Sequence, residues 1–433
     1  MAPSKFRAII IGGGPVGLAI ANGLDRAGLD YLVVERHPTI ISESGAGIML
    51  WPHTVRIFDQ LGLIEACKDR FIPLYKKTNL RLDGTPTRTA PIFEYLDENH
   101  GYAVMNFPRP GLVQTLLDGL GANQSKIRTG AGIEDIEMTE SGVRVRLSNG
   151  SIEEGSIVIG ADGVHSRTRA IMRKLAKAAG QDFDKDEEPI MSSYQIMYGR
   201  ASYVPGVEVG TFFETHGTYR SSQFSASKDR MHFGIYRKLP SPTTDTKKEY
   251  SEEEVAEFVK AFADVSVAPN LTFKELYANC EWTKLVNQHE GLTKHWYFGR
   301  VALAGDSCAQ MTAAAGMGVN NGLQSAIALV NKLHEVLGEN SDPSTDTLEQ
   351  AFEEYQNVRR EESRAICGMA AQVIRINTWD SWIGWLMGEI IVPMLVGDEK
   401  LITKLGTNLV SKMRKLDFIQ RDLKSGKIPW VQT

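Results

Sequence analysis

Residues 8–17 read Ala-Ile-Ile-Ile-Gly-Gly-Gly-Pro-Val-Gly, an apolar run followed at once by GxGxxG. The run is typical of a buried parallel strand, and a helix is predicted from about Pro15 to Ala27. In this setting Gly12 permits a tight turn, Gly14 lets the backbone approach a pyrophosphate, and Gly17 lets the helix pack on the strand. The stretch therefore predicts a Rossmann-type βαβ unit with a dinucleotide phosphate at the helix N-terminus.

A carboxylate stands where the next strand of such a unit would end. Leu32 to Val34 form the second apolar run, and Glu35 follows 18 residues after Gly17. A carboxylate here can accept hydrogen bonds from both hydroxyls of an adenosine ribose, and it repels a 2′-phosphate. Glu35 therefore argues against NADP as the ligand of this unit.

Composition excludes several classes of protein. A net charge of -5 over 433 residues argues against a nucleic-acid-binding surface, which needs a basic stripe. The four cysteines form no CxxC pair and the histidines show no metal-ligand spacing, so we expect free thiols and no metal site. No signal peptide is recognised, and no stretch reaches the roughly 18 apolar residues of a transmembrane helix. These features predict a cytoplasmic protein.

The pattern of apolar, aromatic and turn residues divides the sequence into four predicted segments. Residues 1–175 form the first part of the nucleotide-binding domain, and residues 291–340 return to the same strand-and-helix pattern. Between them, residues 176–290 alternate, are rich in aromatics and predict an antiparallel sheet that covers a ligand. Residues 341–433 are predicted to be helical, with a long helix over about Asp346 to Ile376. The expected fold class is α/β, a Rossmann-type domain with an inserted antiparallel-sheet substrate domain and a helical C-terminus.

Three further motifs identify the ligand and the family. Residues 107–109 read Phe-Pro-Arg, residues 160–169 read Gly-Ala-Asp-Gly-Val-His-Ser-Arg-Thr-Arg, and residues 305–307 read Gly-Asp-Ser. The second resembles the DGxxSxxR motif of flavoprotein hydroxylases, and the third resembles their GD motif. Over about residues 6–375 the chain resembles the group A FAD-dependent monooxygenases, which have the p-hydroxybenzoate hydroxylase fold. It most resembles their fungal secondary-metabolite branch of epoxidases and hydroxylases.

This resemblance implies FAD as the bound cofactor and NAD(P)H as a transient reductant. The chain has no second GxGxxG, which agrees with a family in which the reductant visits without a Rossmann domain of its own. Asp306 can bond a ribityl hydroxyl, and Arg109 can neutralise pyrophosphate charge. A helix opening at Gly316–Val319 would direct its positive end at the flavin pyrimidine and stabilise negative charge on reduced flavin. Residues 44–48 resemble the segment that closes over the cofactor.

The predicted cofactor-binding residues share a position at one of these motifs. They are Gly12, Gly14, Gly17, Glu35, Ala46, Gly47, Arg109, Asp162, Asp306, Gly318 and Val319. Simpler roles stay open for three of them. Asp162 could only cap a turn, Asp306 could be a helix N-cap, and Arg109 could be a surface arginine.

The GD motif departs from the family pattern at positions close to the flavin. Ala309 stands where relatives usually have histidine, Ala313 stands where they have proline, and Gln324-Ser325 replaces a Glu-Asp pair. In the family the proline lies beside the flavin ring, where oxygen is activated. The departures leave open a non-oxidative isomerase or cyclase on the same scaffold.

The substrate of a monooxygenase of this branch is expected to be a small, apolar, polycyclic terpenoid or alkaloid. Tyr194, Ile196, Tyr198 and Arg200 share one face of a predicted strand. Arg200 and Tyr194 are the candidate catalytic residues, as proton donor or hydrogen-bond partner of the substrate. The alternative is a strand-end arginine in solvent and a core tyrosine. His216, Tyr219 and His232 are weaker candidates.

The C-terminal segment allows two interpretations. Tryptophans cluster at positions 379, 382 and 385, and eight basic residues follow between positions 400 and 427. This pattern suits an interfacial helix with peripheral membrane contact, and it equally suits a helix packed on the body or on a second subunit. The sequence leaves the oligomeric state open.

Overall fold

The chain is represented by a computed structural model that describes residues 6–42, 45, 47–245, 247–391 and 398–431. The predicted cofactor residue Ala46 and its neighbour Ser44 lie outside the described residues. Among the helices described, none is both long and apolar enough to cross a membrane.

The helices follow one another in chain order. They are α1 (Pro15–Arg26), α2 (Pro52–Gln60), α3 (Ile64–Cys67), α4 (Ile92–His100), α5 (Arg109–Asp118), α6 (Arg167–Ala178), α7 (Glu252–Phe262), α8 (Phe273–Ala278), α9 (Gly318–Glu339), α10 (Thr345–Asn377), α11 (Trp382–Leu386) and α12 (Asp398–Leu409).

The strands fall into two large sheets and several small ones. They are β1 (Arg7–Ile11), β2 (Asp30–Val34), β3 (Gly47–Leu50), β4 (Ile72–Pro73), β5 (Lys76–Leu80), β6 (Pro86–Ala90), β7 (Met105–Pro108), β8 (Ile127–Arg128), β9 (Ile133–Met138), β10 (Val143–Leu147), β11 (Ile152–Gly155), β12 (Ile157–Gly160), β13 (Met191–Ser202), β14 (Thr211–Gly217), β15 (Arg220–Ala226), β16 (Arg230–Thr243), β17 (Ser266–Ala268), β18 (Leu271–Thr272), β19 (Cys280–Leu292), β20 (Tyr297–Phe298), β21 (Val301–Leu303) and β22 (Ala309–Gln310).

The first large sheet has six strands in the order β20-β21-β12-β1-β2-β8. All neighbours pair in parallel except β20 with β21. Ile9 of β1 lies opposite both Leu32 and Val158 and is fully buried, as an apolar run in the middle of a parallel sheet requires. The predicted βαβ unit is confirmed, since β1, α1 and β2 follow one another within a residue or two of the expected bounds.

The second large sheet, called here the substrate sheet, has eight strands in the order β22-β19-β13-β16-β15-β14-β5-β6. Five of them lie within the predicted segment 176–290 or reach two residues beyond it. The remaining three, β5, β6 and β22, come from the flanking parts of the chain. The predicted domain bounds therefore leave out both edges of this sheet, because those short strands pair with residues far away in sequence.

The substrate sheet is covered on both sides. The face that includes Phe233 and Ile235 packs against Phe258 and Phe262 of α7. The other face, called here the cleft face, is turned toward the nucleotide-binding part of the chain. It carries alternate residues of the central strands: Tyr194, Ile196, Tyr198, Arg200, Phe212, Glu214, His216, Ser221, Gln223, Ser225, His232 and Tyr236. The prediction that the four β13 residues share one face is confirmed.

Residues after α10 divide into two parts with different surroundings. Residues 382–391 form α11 and one π-helical turn, and they leave Trp382 72% and Ile383 55% exposed. Residues 398–431 instead lie on the body, with Val410 and Leu416 fully buried. For this second part the packed interpretation is confirmed.

Three of the basic residues of that tail form ion pairs with the body of the protein. Arg414 pairs with Glu362 at 2.7 Å, Arg421 with Asp59 at 3.2 Å, and Lys427 with Glu98 at 2.5 Å. These three cations therefore have acidic partners within the chain.

Candidate active site

The glycine turn after β1 has the geometry that a diphosphate requires. Gly12 adopts φ 111°, and a Cβ there would lie 2.5 Å from the backbone oxygen of Ala161. A Cβ on Gly17 would lie 1.9 Å from the oxygen of Gly12, so only glycine lets α1 approach the turn this closely. A Cβ on Gly14 would meet no atom within 4 Å. The turn is thus closed on its inner side and open at Gly14, the N-cap of α1.

Glu35 is held against this turn by backbone N–H groups. Its Oε2 accepts from the amide of Gly13 at 2.7 Å, and its Oε1 accepts from the amide of His37 at 2.9 Å. The half-buried carboxylate is therefore oriented at the C-terminal end of β2, next to the open side of the turn. That is the position from which a carboxylate bonds a ribose.

Arg109 is the first residue of α5 and lies beside the segment expected to close over the cofactor. A Cβ on Gly45 would lie 2.4 Å from Cδ of Arg109. Gly47 begins β3, which pairs with β7 so that Gly47 is opposite Pro108. Arg109 is half-buried and forms no ion pair or hydrogen bond within the part of the chain that the structure describes. A half-buried guanidinium without a protein partner suits an anionic ligand.

Asp162 caps the following helix. Its carboxylate accepts from the hydroxyl of Ser166 at 2.5 Å, from the amides of Arg167 and Thr168 at 2.9 Å each, and from the hydroxyl of Thr168 at 3.0 Å. Two of these bonds satisfy backbone amides of the first turn of α6, and the N-cap Ser166 accepts from a third, the amide of Arg169 at 2.9 Å. A direct contact of this carboxylate with the cofactor stays a prediction, and the adjacent Ala161 backbone is what borders Gly12.

Asp306 follows β21 and projects into the cleft. Its side chain reaches solvent, yet the surrounding protein removes enough hydration to raise its pKa to about 6. The neighbouring backbone is fixed, because Arg169 Nη1 donates to the oxygen of Ser307 at 2.6 Å and the Ser307 hydroxyl donates to the oxygen of Gly160 at 2.7 Å. The two family motifs are thus bonded to each other, and Asp306 is left facing the cleft.

The N-terminus of α9 opens into the same cleft. The helix begins at Gly318, its N-cap Met317 supplies no side-chain hydrogen bond, and a Cβ on Gly318 would meet no atom within 4 Å. Gly318 and Val319 are half-buried. The helix therefore presents backbone N–H groups and its positive end to open space.

The loop before α9 contains the departures from the family pattern. Ala309 is buried in the edge strand β22, where it lies opposite Leu292. Ala313 is exposed, and its amide donates to Oε1 of Gln288 at 2.8 Å. The backbone oxygen of Ala314 accepts from Nε2 of Gln223 at 2.6 Å. The cleft face of the substrate sheet therefore contacts this loop directly.

The two candidate catalytic residues have protein partners. Nε of Arg200 lies 2.8 Å from Oε2 of Glu281, and a guanidinium stays charged, so it is a hydrogen-bond partner and not a proton donor. Tyr194 is fully buried, its hydroxyl lies 3.4 Å from Oγ1 of Thr378, and burial raises its pKa to about 12. Tyr194 thus agrees with the alternative of a core tyrosine, and a catalytic role for either residue stays a prediction.

A buried polar cluster on the cleft face was only partly foreseen. This cluster, called here the His216 cluster, consists of Lys77, Glu214, His216 and Glu389. Glu214 pairs with Lys77 and lies 3.1 Å from Nε2 of His216, whose Nδ1 lies 2.5 Å from Glu389. His216 was a weak candidate, and the signal for Glu214 was its place two residues before His216 on one strand face. Lys77 and Glu389 are too distant in sequence for any such signal.

These surroundings fit FAD. A glycine turn open at Gly14, an oriented carboxylate at Glu35 and an arginine at position 109 that has no partner among the described residues suit an ADP moiety. Asp306 and the α9 N-terminus suit a ribityl chain and a flavin pyrimidine. These groups adjoin one another and the substrate sheet, since Gly305 lies against Val16 of α1 and Gly47 lies against His232 of the cleft face.

Comparisons with known proteins agree with this geometry. The family model described as FAD binding domain matches residues 5–362. The FAD-dependent monooxygenase srdH of Neurospora crassa is 35% identical over 444 residues, which cover 99% of each chain.

Two solved structures share the fold. HpxO of Klebsiella pneumoniae, solved with FAD and uric acid, has a TM-score of 0.74 at 21% identity over 94% of this chain and 96% of that chain. The Diels-Alderase PyrE3 of pyrroindomycin biosynthesis has a TM-score of 0.69 at 20% identity over 93% of this chain and 80% of that chain. The predicted fold class and the FAD cofactor are confirmed.

Proposed function

The chain belongs to the FAD binding domain family and is an FAD-dependent monooxygenase, and we propose that it epoxidises or hydroxylates a small, apolar, polycyclic substrate. The proposed substrate is a terpenoid or alkaloid intermediate of secondary metabolism, and the proposed co-substrates are NAD(P)H and O2. Bound FAD supplies the electron transfer and the oxygen activation.

One observation carries this proposal: an aromatic and aliphatic surface faces the residues that suit the flavin. Tyr198 and Phe212 lie on the cleft face and are only partly buried, whereas Ile196, Tyr236 and Ala314 are buried in the cluster against which Tyr198 packs. The Gln223–Ala314 bond of 2.6 Å joins the two sides. An apolar substrate on this surface would lie between the sheet and the flavin, shielded from water.

Different residues of the chain would bind different parts of FAD and the substrate. Glu35 and Arg109 would hold the two ends of the ADP moiety, and Asp306 would orient the ribityl chain. The N–H groups of Gly318 and Val319 would stabilise negative charge where it develops on the pyrimidine. The substrate sheet would orient the substrate and exclude water.

A basic groove beside the flavin motifs supports an anionic reductant. It has a volume of about 630 Å³ and lies along one face of α6, where Arg169, Arg173, Lys174 and Lys177 line it together with Lys247. Asp184 is its one acidic lining residue among those described. A dinucleotide with two or three phosphate groups fits this charge.

The test is reduction of the bound flavin. The protein as purified is mixed without oxygen with NADH or NADPH, and the flavin band is followed before and after a mixture of apolar terpenoids and alkaloids is added. Bleaching by either nucleotide, followed by oxygen consumption on admission of air, supports the proposal. A bound flavin that neither nucleotide ever bleaches contradicts it.

A non-oxidative isomerase or cyclase is the second candidate. Ala309 and Ala313 motivate it, and the likeness to PyrE3, named as a Diels-Alderase, adds that this fold can carry such a protein. Oxygen-18 gas separates the two functions. Label in the product rejects the isomerase, and an unlabelled product isomeric with the substrate rejects the monooxygenase.

The proposal includes a peripheral membrane contact through residues 382–391. The charged side chains next to and within this segment are turned inward, since Asp380 pairs with Lys238 at 2.7 Å and Glu389 bonds His216. Its outward side chains are apolar, namely Trp382, Ile383, Trp385, Met387 and Ile390. Tryptophan at such a surface favours the boundary of a bilayer. Sedimentation with phosphatidylserine-containing vesicles at low salt tests this, and binding is expected to be lost in W382S/W385S. Absence of binding by the unmodified protein rejects it.

A further inference from the structure

We infer that Gln223 and Gln288 are positioning residues that hold the loop Thr312–Gly316 beside the flavin. The two side chains belong to the substrate sheet, whereas the loop leads into the helix that faces the flavin. The inference rests on the proposed function in one respect, namely that FAD occupies the cleft along this loop.

The two glutamines bond both ends of one dipeptide. Oε1 of Gln288 accepts from the amide of Ala313 at 2.8 Å, and Nε2 of Gln223 donates to the oxygen of Ala314 at 2.6 Å. Within the loop, the amide of Gly316 donates to the oxygen of Ala313 at 2.8 Å. Ala313 is exposed and its methyl group offers little packing, so its own position depends on these polar bonds, whereas the adjacent Ala314 is also held by burial.

The orientation of the Gln223 amide is determined by its other partners. Its Nε2 also donates to Oε1 of Glu214 at 2.7 Å, and its Oε1 accepts from the hydroxyl of Tyr236 at 2.8 Å. Glu214 is in turn held by Lys77 and His216. A flipped amide would place its oxygen against two acceptors, so the His216 cluster fixes the direction in which Gln223 donates.

The loop controls where the positive end of α9 lies. Its last residue, Gly316, precedes the N-cap Met317, and Nδ2 of Asn320 donates to the oxygen of Gly316 at 2.7 Å. A displaced loop would move the N–H groups of Gly318 and Val319 away from the flavin pyrimidine. The reduced, anionic flavin would then be less stabilised, and the reduction potential of the bound flavin would become more negative.

A proline at position 313 would remove the amide hydrogen that is donated to Gln288. Thr312 adopts φ −63° and ψ 148°, the conformation that a residue before proline prefers, and Ala313 is the first residue of a 3₁₀ turn. Proline therefore fits the backbone at position 313, where it removes the amide hydrogen from which Gln288 accepts and adds the two ring methylene groups on the exposed side of the loop. A313P and Q288A remove the two halves of the same bond.

The first experiment is a double-mutant cycle on the FAD-loaded protein. The dissociation constant of FAD and the reduction potential are measured for the unmodified protein, Q288A, A313P and the double variant. We expect Q288A to weaken FAD binding roughly twofold to tenfold, as for the loss of one solvent-exposed hydrogen bond. Once A313P is present, Q288A should add almost nothing. Equal effects of Q288A in both backgrounds would overturn the assignment of Gln288.

The second experiment compares two single variants in which glutamine is replaced by glutamate, one at position 288 and one at position 223. Q288E keeps an oxygen for the Ala313 amide and should preserve FAD affinity, while its added charge by itself makes the potential more negative. Q223E replaces a donor by an oxygen that faces Ala314 and Glu214, and it should lower both. Q223L serves as a second variant that removes the donor without adding charge. If Q223E and Q223L bind FAD like the unmodified protein, Gln223 does not position the loop.

A neighbouring residue supplies the matched control. Asn287 precedes Gln288 on β19, lies on the opposite face and accepts from the hydroxyl of Tyr250 at 2.6 Å. N287A should lower the melting temperature without changing the potential of the flavin. If the reduction potential of the flavin shifts as much in N287A as in Q288A, the glutamines stabilise the fold in general and do not position the loop. An unmodified protein that binds no FAD contradicts the proposed function. If the unmodified protein binds FAD tightly and none of the variants changes FAD affinity or potential, only this inference is contradicted.

Discussion

Nδ1 of His216 lies 2.5 Å from Oε1 of Glu389, so strand β14 is bonded to the exposed C-terminal segment through a buried imidazole. Nε2 of the same ring lies 3.1 Å from Oε2 of Glu214, which also pairs with Lys77. Burial alone would lower the pKa of His216, but its hydrogen bonds to Glu214 and Glu389 outweigh burial and raise it above the ordinary value of 6.5.

Stability should therefore fall with rising pH in a way that His216→Gln abolishes. A raised pKa means that the contribution of His216 is fully present below pH 6.5 and is lost as the pH rises through the raised value. The pKa values of Glu214 and Glu389 are lowered, so both stay charged over this window. We expect His216→Gln to lower the free energy of unfolding by about 1–3 kcal/mol below pH 6.5 and by much less at alkaline pH. Urea unfolding of both proteins at several pH values measures this, and a constant difference would contradict it.

Two alanine substitutions in the glycine turn should have different effects, one on stability and the other on FAD binding. In Gly17→Ala the new Cβ would lie 1.9 Å from the oxygen of Gly12, so the turn must open and we expect a loss of several kcal/mol of stability. In Gly14→Ala the methyl group meets no protein atom within 4 Å, and the backbone at φ −76° suits alanine. The fold should be retained while the methyl fills the phosphate space. Thermal unfolding without FAD and titration with FAD separate the two. A Gly14→Ala protein that binds FAD normally would show that the diphosphate lies elsewhere.

Glu35→Gln tests the ribose contact. The amide oxygen can still accept from Gly13 and keep the turn folded, but the bond from His37 and the charged acceptor are lost. We expect FAD affinity to fall roughly tenfold, the usual difference between a charged and a neutral acceptor. Fluorescence titration of the apoprotein measures it. Glu137→Gln, at a surface carboxylate that is 64% exposed, is the control and should bind FAD as the unmodified protein does.

Local pattern predicted the elements that local interactions determine. The βαβ unit was predicted because an apolar run, a glycine turn and a helix that begins at Pro15 and ends before Gly28 are adjacent in sequence. The long helix expected over Asp346 to Ile376 is found at Thr345–Asn377, since its start is set by a Ser344 cap three residues before Thr347. The shared face of Tyr194 and Arg200 followed from the strand period alone.

What sequence reasoning missed depends on contacts between distant residues. His216 and Glu389 are 173 positions apart, and Gln223 and Ala314 are 91 positions apart. Arg200 was proposed for catalysis because it shares a strand face with Tyr194, and nothing in the sequence indicates its partner Glu281, 81 positions away. The strands β5 and β6 were missed for the same reason, since β5 pairs in parallel with the distant β14.

The basic groove along α6 yields the last prediction. Lys174 and Lys177 are 75% and 63% exposed, and each lies 3.7 Å from its nearest carboxylate, so neither is strongly neutralised. K174E/K177E should raise the KM for the reductant about tenfold with little change in kcat, because the change touches docking and not the flavin. The effect should shrink at high ionic strength.

The control for this reversal is K260E/K274E, which makes the same change of charge in the apolar groove lined by α7 and α8. That surface lies on the face of the substrate sheet turned away from the cleft, so the KM should stay unchanged. FAD affinity, measured by titration, should be the same in all three proteins. If the groove variant binds FAD normally and its KM for both NADH and NADPH also equals that of the unmodified protein, the phosphates of the reductant do not dock along α6. The positive charge of the groove would then have no part in reduction of the flavin.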